Sequence, residues 1–110
     1  SQFEQPSAVD YVQARAWYDK AVAQKDACAQ HAIGWMYDSG TGAEEDKAQA
    51  FAWYEKAAKQ GLSKSQFNLG VLYRDGLGVA QNMKAAKSWF EKAAAQGDEE
   101  AAAELEDWSE

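Results

Sequence analysis

Cysteine occurs once, at Cys28, in a chain of 110 residues. A single thiol makes no internal disulfide and no multi-cysteine zinc site, which excludes a stapled mini-protein and a zinc ribbon. No apolar run approaches the roughly 18 residues that a bilayer span needs. The start, Ser1-Gln2-Phe3-Glu4-Gln5, has neither a basic region nor a hydrophobic stretch, so no membrane insertion is expected. The initiator Met is missing too, which marks a processed or trimmed chain and leaves periplasm, exterior and cytoplasm all open. Bases are absent beyond Lys92, whereas seven of the last thirteen residues are acidic. Residues 1–97 hold 11 acids and all 11 bases, so the whole net charge of −7 lies at the C-terminus. Such a surface repels phosphate, which argues against nucleic acid and anionic lipid as partners. A solvated terminal helix is the plain reading of these acids, and a docking site for a cationic partner is the sharper one.

What is present is enough to fold. The apolar share is 46% and the aromatic share 13%, with five Trp, well above the composition that leaves chains disordered. The length allows one core, so residues 1–110 are expected to form a single domain.

Slid along itself by 36 positions, the sequence repeats. Trp17 returns as Trp53 and Trp89, Lys20 as Lys56 and Lys92, Ala21 as Ala57 and Ala93, and Gln24 as Gln60 and Gln96. Gly34, Tyr37, Gly40 and Gly42 recur as Gly70, Tyr73, Gly76 and Gly78; Ala14, Ala50 and Ala86 form another column, as do Ile33, Leu69 and Leu105. A repeat of this length is a supersecondary unit that must stack on its neighbours to bury its apolar face. Within each unit the apolar spacing is helical: Leu69, Leu72 and Tyr73 share one side of a first helix, and Ala86, Phe90 and Ala93 one side of a second. Nothing alternates like a strand.

Start signals agree with two helices per unit. Asp10, Asp46 and Ser63 each precede a Gln by three residues, the spacing of a reciprocal capping box, and Asn82 can cap alone. Gly61 and Gly97 fall just past helix ends, where a left-handed residue closes the turn. Lys25 stands at that place in the first copy, so the first turn is expected to differ. Six helices are predicted, near 9–24, 27–38, 46–60, 63–74, 82–96 and 98–108, packed as three antiparallel pairs. The units run as a half unit about 9–25, full units about 26–61 and 62–97, and a half unit or cap at 98–110.

These residues carry a family resemblance. Ala32-Ile33-Gly34-Trp35-Met36-Tyr37-Asp38-Ser39-Gly40-Thr41-Gly42, followed by Asp46, Ala50, Trp53-Tyr54-Glu55-Lys56-Ala57-Ala58 and Gly61, resembles the Sel-one-like repeat, a cousin of the tetratricopeptide repeat. Leu69-Gly70-Val71-Leu72-Tyr73-Arg74-Asp75-Gly76-Leu77-Gly78-Val79 with Asn82 and Trp89-Phe90-Glu91-Lys92-Ala93-Ala94 is a second copy. Departures sit at the end, where Glu106 and Ser109 stand in the places of Gly34 and Tyr37. The resemblance implies an all-α, α/α solenoid wound as a right-handed superhelix. It also implies a non-catalytic adaptor for another protein or peptide, monomeric and without a cofactor. The family's bacterial members include envelope regulators, virulence factors and neutralisers of secreted toxins. Members named for penicillin binding resemble cysteine-paired repeats, a subgroup that one cysteine does not fit.

Packing accounts for most of the recurring columns. Gly34, Gly70 and the Ala columns let helices approach closely, and Tyr37, Tyr73, Trp17, Trp53 and Trp89 are expected to supply most of the buried area. Gly40-Thr41-Gly42 and Gly76-Leu77-Gly78 follow helices and lack a Gly-Lys-Ser/Thr continuation, so they are loop glycines rather than a phosphate cradle. Cys28 and His31, three residues apart, could share a helix face. A hydrolase-like dyad or a metal site would need a third group that the spacing does not supply. In superhelices of this family the first helix of each pair lines the concave surface. The positions left free by the packing columns there are Cys28, His31, Trp35 and Asp38; Lys64, Phe67, Val71 and Arg74; and Glu100, Ala103 and Asp107. Trp35 and Phe67, aromatics flanked by charges, have the composition of an interaction hot spot. Cys28 is expected to be exposed, and a clamp for acidic tails is not expected. A scaffold segment of a longer solenoid is the remaining alternative.

Far-ultraviolet circular dichroism of the chain should be helix-dominated. An appreciable sheet signal would remove the solenoid and every surface assignment built on it.

Overall fold

The computed structural model describes residues 25–108. Five α-helices follow one another: α1 (Ala27–Ser39), α2 (Lys47–Lys59), α3 (Ser63–Asp75), α4 (Met83–Ala95) and α5 (Glu99–Glu106). Among the described residues there is no strand. Each helix packs on the next, most extensively within α1–α2 and α3–α4, and the short joints at 60–62 and 96–98 turn the chain back on itself. Two antiparallel pairs and a fifth helix therefore stand where three pairs were expected, the helix read at 9–24 lying outside the described residues.

The recurring glycines are explained by aromatic rings. A Cβ on Gly34 would lie 2.8 Å from Tyr54 Cδ1, and one on Gly70 would lie 2.8 Å from Phe90 Cε1. Tyr54 and Phe90 are both fully buried, so each pair is locked by a ring of its second helix packed against a bare glycine of its first. This corrects the expectation for the Trp column. Trp53 and Trp89, like Tyr37 and Tyr73, are only half-buried, with Lys56 and Lys92 Nζ each 4.3 Å above the Trp ring centroids; Trp17 lies outside the described residues. In the two described copies the recurrence of Trp and Lys is thus a repeated i,i+3 cation–π pair, and the next residue along the helix fills the core.

Small residues bring the helices together elsewhere. Ala50, Ala57, Ala86 and Ala93 have no exposure, and neither do Ser65 and Ala101. Ala50, Tyr54, Ala58, Leu69 and Leu72 form one core cluster, and Ala86, Phe90, Ala93 and Ala101 another, with Tyr73 packed against both. At the end of the stack Leu105 and Trp108 cover the second cluster. Trp108 stands two repeats after the buried Met36 and one after Leu72, and its ring lies 6.0 Å from that of Phe90. It fills a core column although it lies past the helix rather than in its last turn.

Capping departs from expectation in two places. Asp46 accepts from the Gln49 amide at 3.1 Å, but the Asp46 amide donates to the Tyr37 carbonyl at 3.0 Å, so the reciprocal half of the box is replaced by a loop closure. Asn82 repeats both contacts, with Ala85 and with Tyr73. Ser63 is no cap. Leu62 occupies that position without a side-chain hydrogen bond, and Gln66 is buried. Its Nε2 donates to the Ala58 carbonyl at 3.1 Å while its Oε1 accepts from Gln96 Nε2 at 2.9 Å. One repeat earlier Gln60 Nε2 donates to Gln30 Oε1 at 2.8 Å. The Gln60 and Gln96 column is therefore an amide fastener holding the end of each second helix to the start of its first. The box read at Asp10 lies outside the described residues.

Lys25 keeps the turn that it was expected to change. Its φ is 62°, alongside 97° at Gly61 and 94° at Gly97, so a left-handed residue stands at this place even where a side chain makes that costly.

Gly70→Ala should lower unfolding stability by about 2 kcal/mol, overpacking against Phe90 outweighing the gain in helix propensity. Lys25→Gly should raise it by about 0.5 kcal/mol, since strain relief exceeds the added freedom of the unfolded chain. Urea denaturation followed by circular dichroism measures both, and a neutral Gly70→Ala would refute the ring-on-glycine lock.

Candidate functional site

First helices supply the face on which a ligand was sought. Three of them, α1, α3 and α5, contribute to an open pocket of about 320 Å³ lined by His31, Lys64, Phe67, Asn68, Asp98 and Glu100. Four of these were read from the sequence as free positions. Asn68 and Asp98 were not. Asp98 is the N-cap of α5, its Oδ1 accepting from the Ala101 amide at 3.0 Å. A cap residue also points at the groove because α5 starts at its edge. Asn68 sits one residue past Phe67, and no sequence signal distinguishes it.

His31 is half-buried and hydrogen-bonded through Nδ1 to Ser65 Oγ at 2.7 Å. Its ring lies 5.2 Å from that of Tyr54. This contact explains a fully buried serine in a column otherwise made of Ala29 and Ala101, because the imidazole satisfies the hydroxyl that burial would leave unpaired. Among the described residues no buried side-chain polar atom lacks a partner. Burial, and then the neighbouring Lys64 charge, hold the His31 pKa below its ordinary 6.5.

The remaining positions divide by what they touch. Cys28 is exposed, as expected, and so are Ala103 and Asp107. Trp35 has 47% of its surface exposed, a large apolar group open to solvent one turn beyond His31. Phe67 and Val71 are half-buried against the second core cluster, with the Phe67 ring 5.6 Å from Phe90. Asp38 and Arg74 carry charges already used. Asp38 receives Lys47 Nζ at 2.5 Å and the Tyr54 hydroxyl at 3.1 Å, and burial beside this carboxylate raises the Tyr54 pKa. Arg74 binds Asp75 through Nε and Nη2 at 3.0 and 3.1 Å, and Glu104 through Nη1 at 2.6 Å. It fastens α3 to α5. The two carboxylates raise the Arg74 pKa, and its guanidinium lowers that of Asp75.

Among the described residues no group of His, Cys, Asp and Glu has the arrangement to hold a metal ion, and no helix is long and apolar enough to cross a membrane.

Comparison with known proteins gives a consistent picture. The family model described as "Sel1 repeat" matches residues 5–26, 28–62 and 63–98. A Sel1 repeat protein from Oxalobacter formigenes superposes with a TM-score of 0.83 at 44% identity, over 84% of this chain and 70% of that one. An antigen of uropathogenic Escherichia coli, described as protective and as displaying an SLR fold, gives 0.84 at 38% identity over 86% of this chain. This chain spans only 20% of that protein. Cysteine-rich protein B of Helicobacter pylori gives 0.78 at 27% identity, over 83% of this chain and 68% of that one. No curated protein matches.

Because the folded His31 pKa is depressed, the unfolded chain binds the proton first. Its contribution to stability is complete above pH 6.5 and is lost as pH falls through the folded pKa. Denaturant titrations in steps below pH 6.5 should show this loss in the wild type and a smaller one in His31→Asn. Equal slopes would mean that His31 is solvated.

Proposed function

The chain belongs to the Sel1 repeat family, and from that premise we propose that it is a non-catalytic adaptor. It binds a protein or peptide along the face shared by α1, α3 and α5. The observation that carries this is Trp35, 47% exposed on the same helix face as His31, which opens onto a pocket floored by Phe67. A folded chain that buries Tyr54 and Phe90 completely yet leaves the Trp35 ring half in water has a surface suited to a partner. The candidate binding face comprises Cys28, His31, Trp35, Lys64, Phe67, Glu100, Ala103 and Asp107. Asp38, Val71 and Arg74 shape it from the side, through ion pairs and packing.

The hydrolase alternative built on Cys28 and His31 has less support. The partner of the His31 ring is Ser65, whose hydroxyl is sealed at 0% exposure and out of a substrate's reach. A scaffold role within a longer solenoid is the second reading, favoured by the small share of the Escherichia coli antigen that this chain spans. The three bacterial neighbours support a bacterial setting. Regulation, virulence and toxin neutralisation are the finer roles proposed there, and the protective-antigen description bears on that choice.

Random peptides displayed on phage and selected on the immobilised domain test this proposal. Trp35→Ala should weaken the selected binders by about 2 kcal/mol, the scale of a hot-spot truncation, with the fold unchanged. Phe67→Ala should weaken them similarly while also costing about 1 kcal/mol of stability, since that ring supports Phe90. Binding untouched by both substitutions, with helicity retained, would move the ligand off this face.

A further inference from the structure

The groove between α1, α3 and α5 is unbalanced in charge once the internal ion pairs are removed. Arg74 is held by Asp75 and Glu104, and Lys47 by Asp38. Lys64 is then the one cation on this face without an ion pair. Against it in the pocket lining stand Glu100, exposed and in no ion pair, and Asp98, whose Oδ1 caps its helix. His31 adds no compensating charge, since burial and Lys64 disfavour its protonated form. Phe67 supplies apolar surface within the same pocket, and the exposed Trp35 adds more one turn beyond His31 on α1. A pocket of about 320 Å³ is at the lower end of the sizes that hold ligands, room for one or two side chains rather than for a folded domain.

Resting on the reading of this face as the binding surface, we propose that the groove selects a peptide segment with an apolar side chain followed closely by Lys or Arg. The apolar group lies on Phe67 and Trp35, and the cation reaches Glu100 and Asp98. Affinity comes mainly from the apolar anchor, because exposed ion pairs contribute little. Charge sets which peptides are accepted and speeds their approach. An acidic peptide is rejected on the same grounds, because the carboxylates of α5 have no nearby free base beyond Lys64.

The sequences recovered from the random-peptide selection are the first test. Binders should be enriched in Lys or Arg within a few positions of Leu, Phe or Trp, and their affinity should fall as salt is raised. For a synthetic copy of the strongest binder, Glu100→Lys should weaken binding about tenfold. Glu99→Lys, which places the same charge at the same helix end but off the groove, should change it far less. Acidic or neutral binders, or equal effects of the two charge reversals, would overturn the charge assignment while leaving the groove intact, provided Trp35→Ala still weakens binding. An empty selection, or binders indifferent to Trp35→Ala, would overturn the binding face itself and this inference with it.

Discussion

A ring resting on a bare glycine is the contact on which the rest of this structure depends. Gly34 under Tyr54 and Gly70 under Phe90 bring the two helices of each pair to a separation that any Cβ would prevent. Dispersion and burial of a whole aromatic side chain supply the largest single share of core energy in so small a domain, and the Ala columns follow, since helices this close leave no space for larger residues. Where the column offers Glu106 in place of glycine, the stack ends differently, with Leu105 and Trp108 laid over the second cluster.

Polar contacts then set the pairs in register. Gln30 with Gln60 and Gln66 with Gln96 tie helix ends together. His31 with Ser65 ties α1 to α3, and Arg74 with Glu104 ties α3 to α5. Each satisfies groups that would be costly to leave unpaired between packed helices. Their consequence for function is subtractive: every charge drawn into a fastener is one less for a ligand. The groove is left with the Phe67 ring, Lys64 and the carboxylates of Asp98 and Glu100.

The helical period, the 36-residue repeat and the glycine columns were legible because packing constraints act on residue type at fixed spacing. Loop glycines, the caps at Asp46 and Asn82, and the exposure of Cys28 followed from local chemistry. Other features did not. Ser63 followed by Gln66 satisfies the spacing of a capping box, yet burial recruited Gln66 to a long-range amide pair and left Leu62 at the cap. Trp53 and Trp89 are the largest residues of their helices, yet Tyr54 and Phe90 face the glycines. Lys25 lacks the intrinsic preference for positive φ, yet it adopts one as Gly61 and Gly97 do.

At the candidate site the division is similar. Sequence alone determined which residues share a face of each helix, because periodicity of 3.6 residues assigns a face without reference to anything distant; that the first helices line a common surface was what the family resemblance implied. Periodicity could not separate a free charge from a spent one. Asp38 and Arg74 occupy the same stripe as His31 and Phe67, and only the arrival of Lys47, Tyr54 and Glu104 from other elements withdraws them. Asn68 and Asp98 join the groove for the converse reason, since three helices that are remote in sequence converge there. Which side chains meet across helices depends on the distance set by the buried rings, and that geometry exists only after folding.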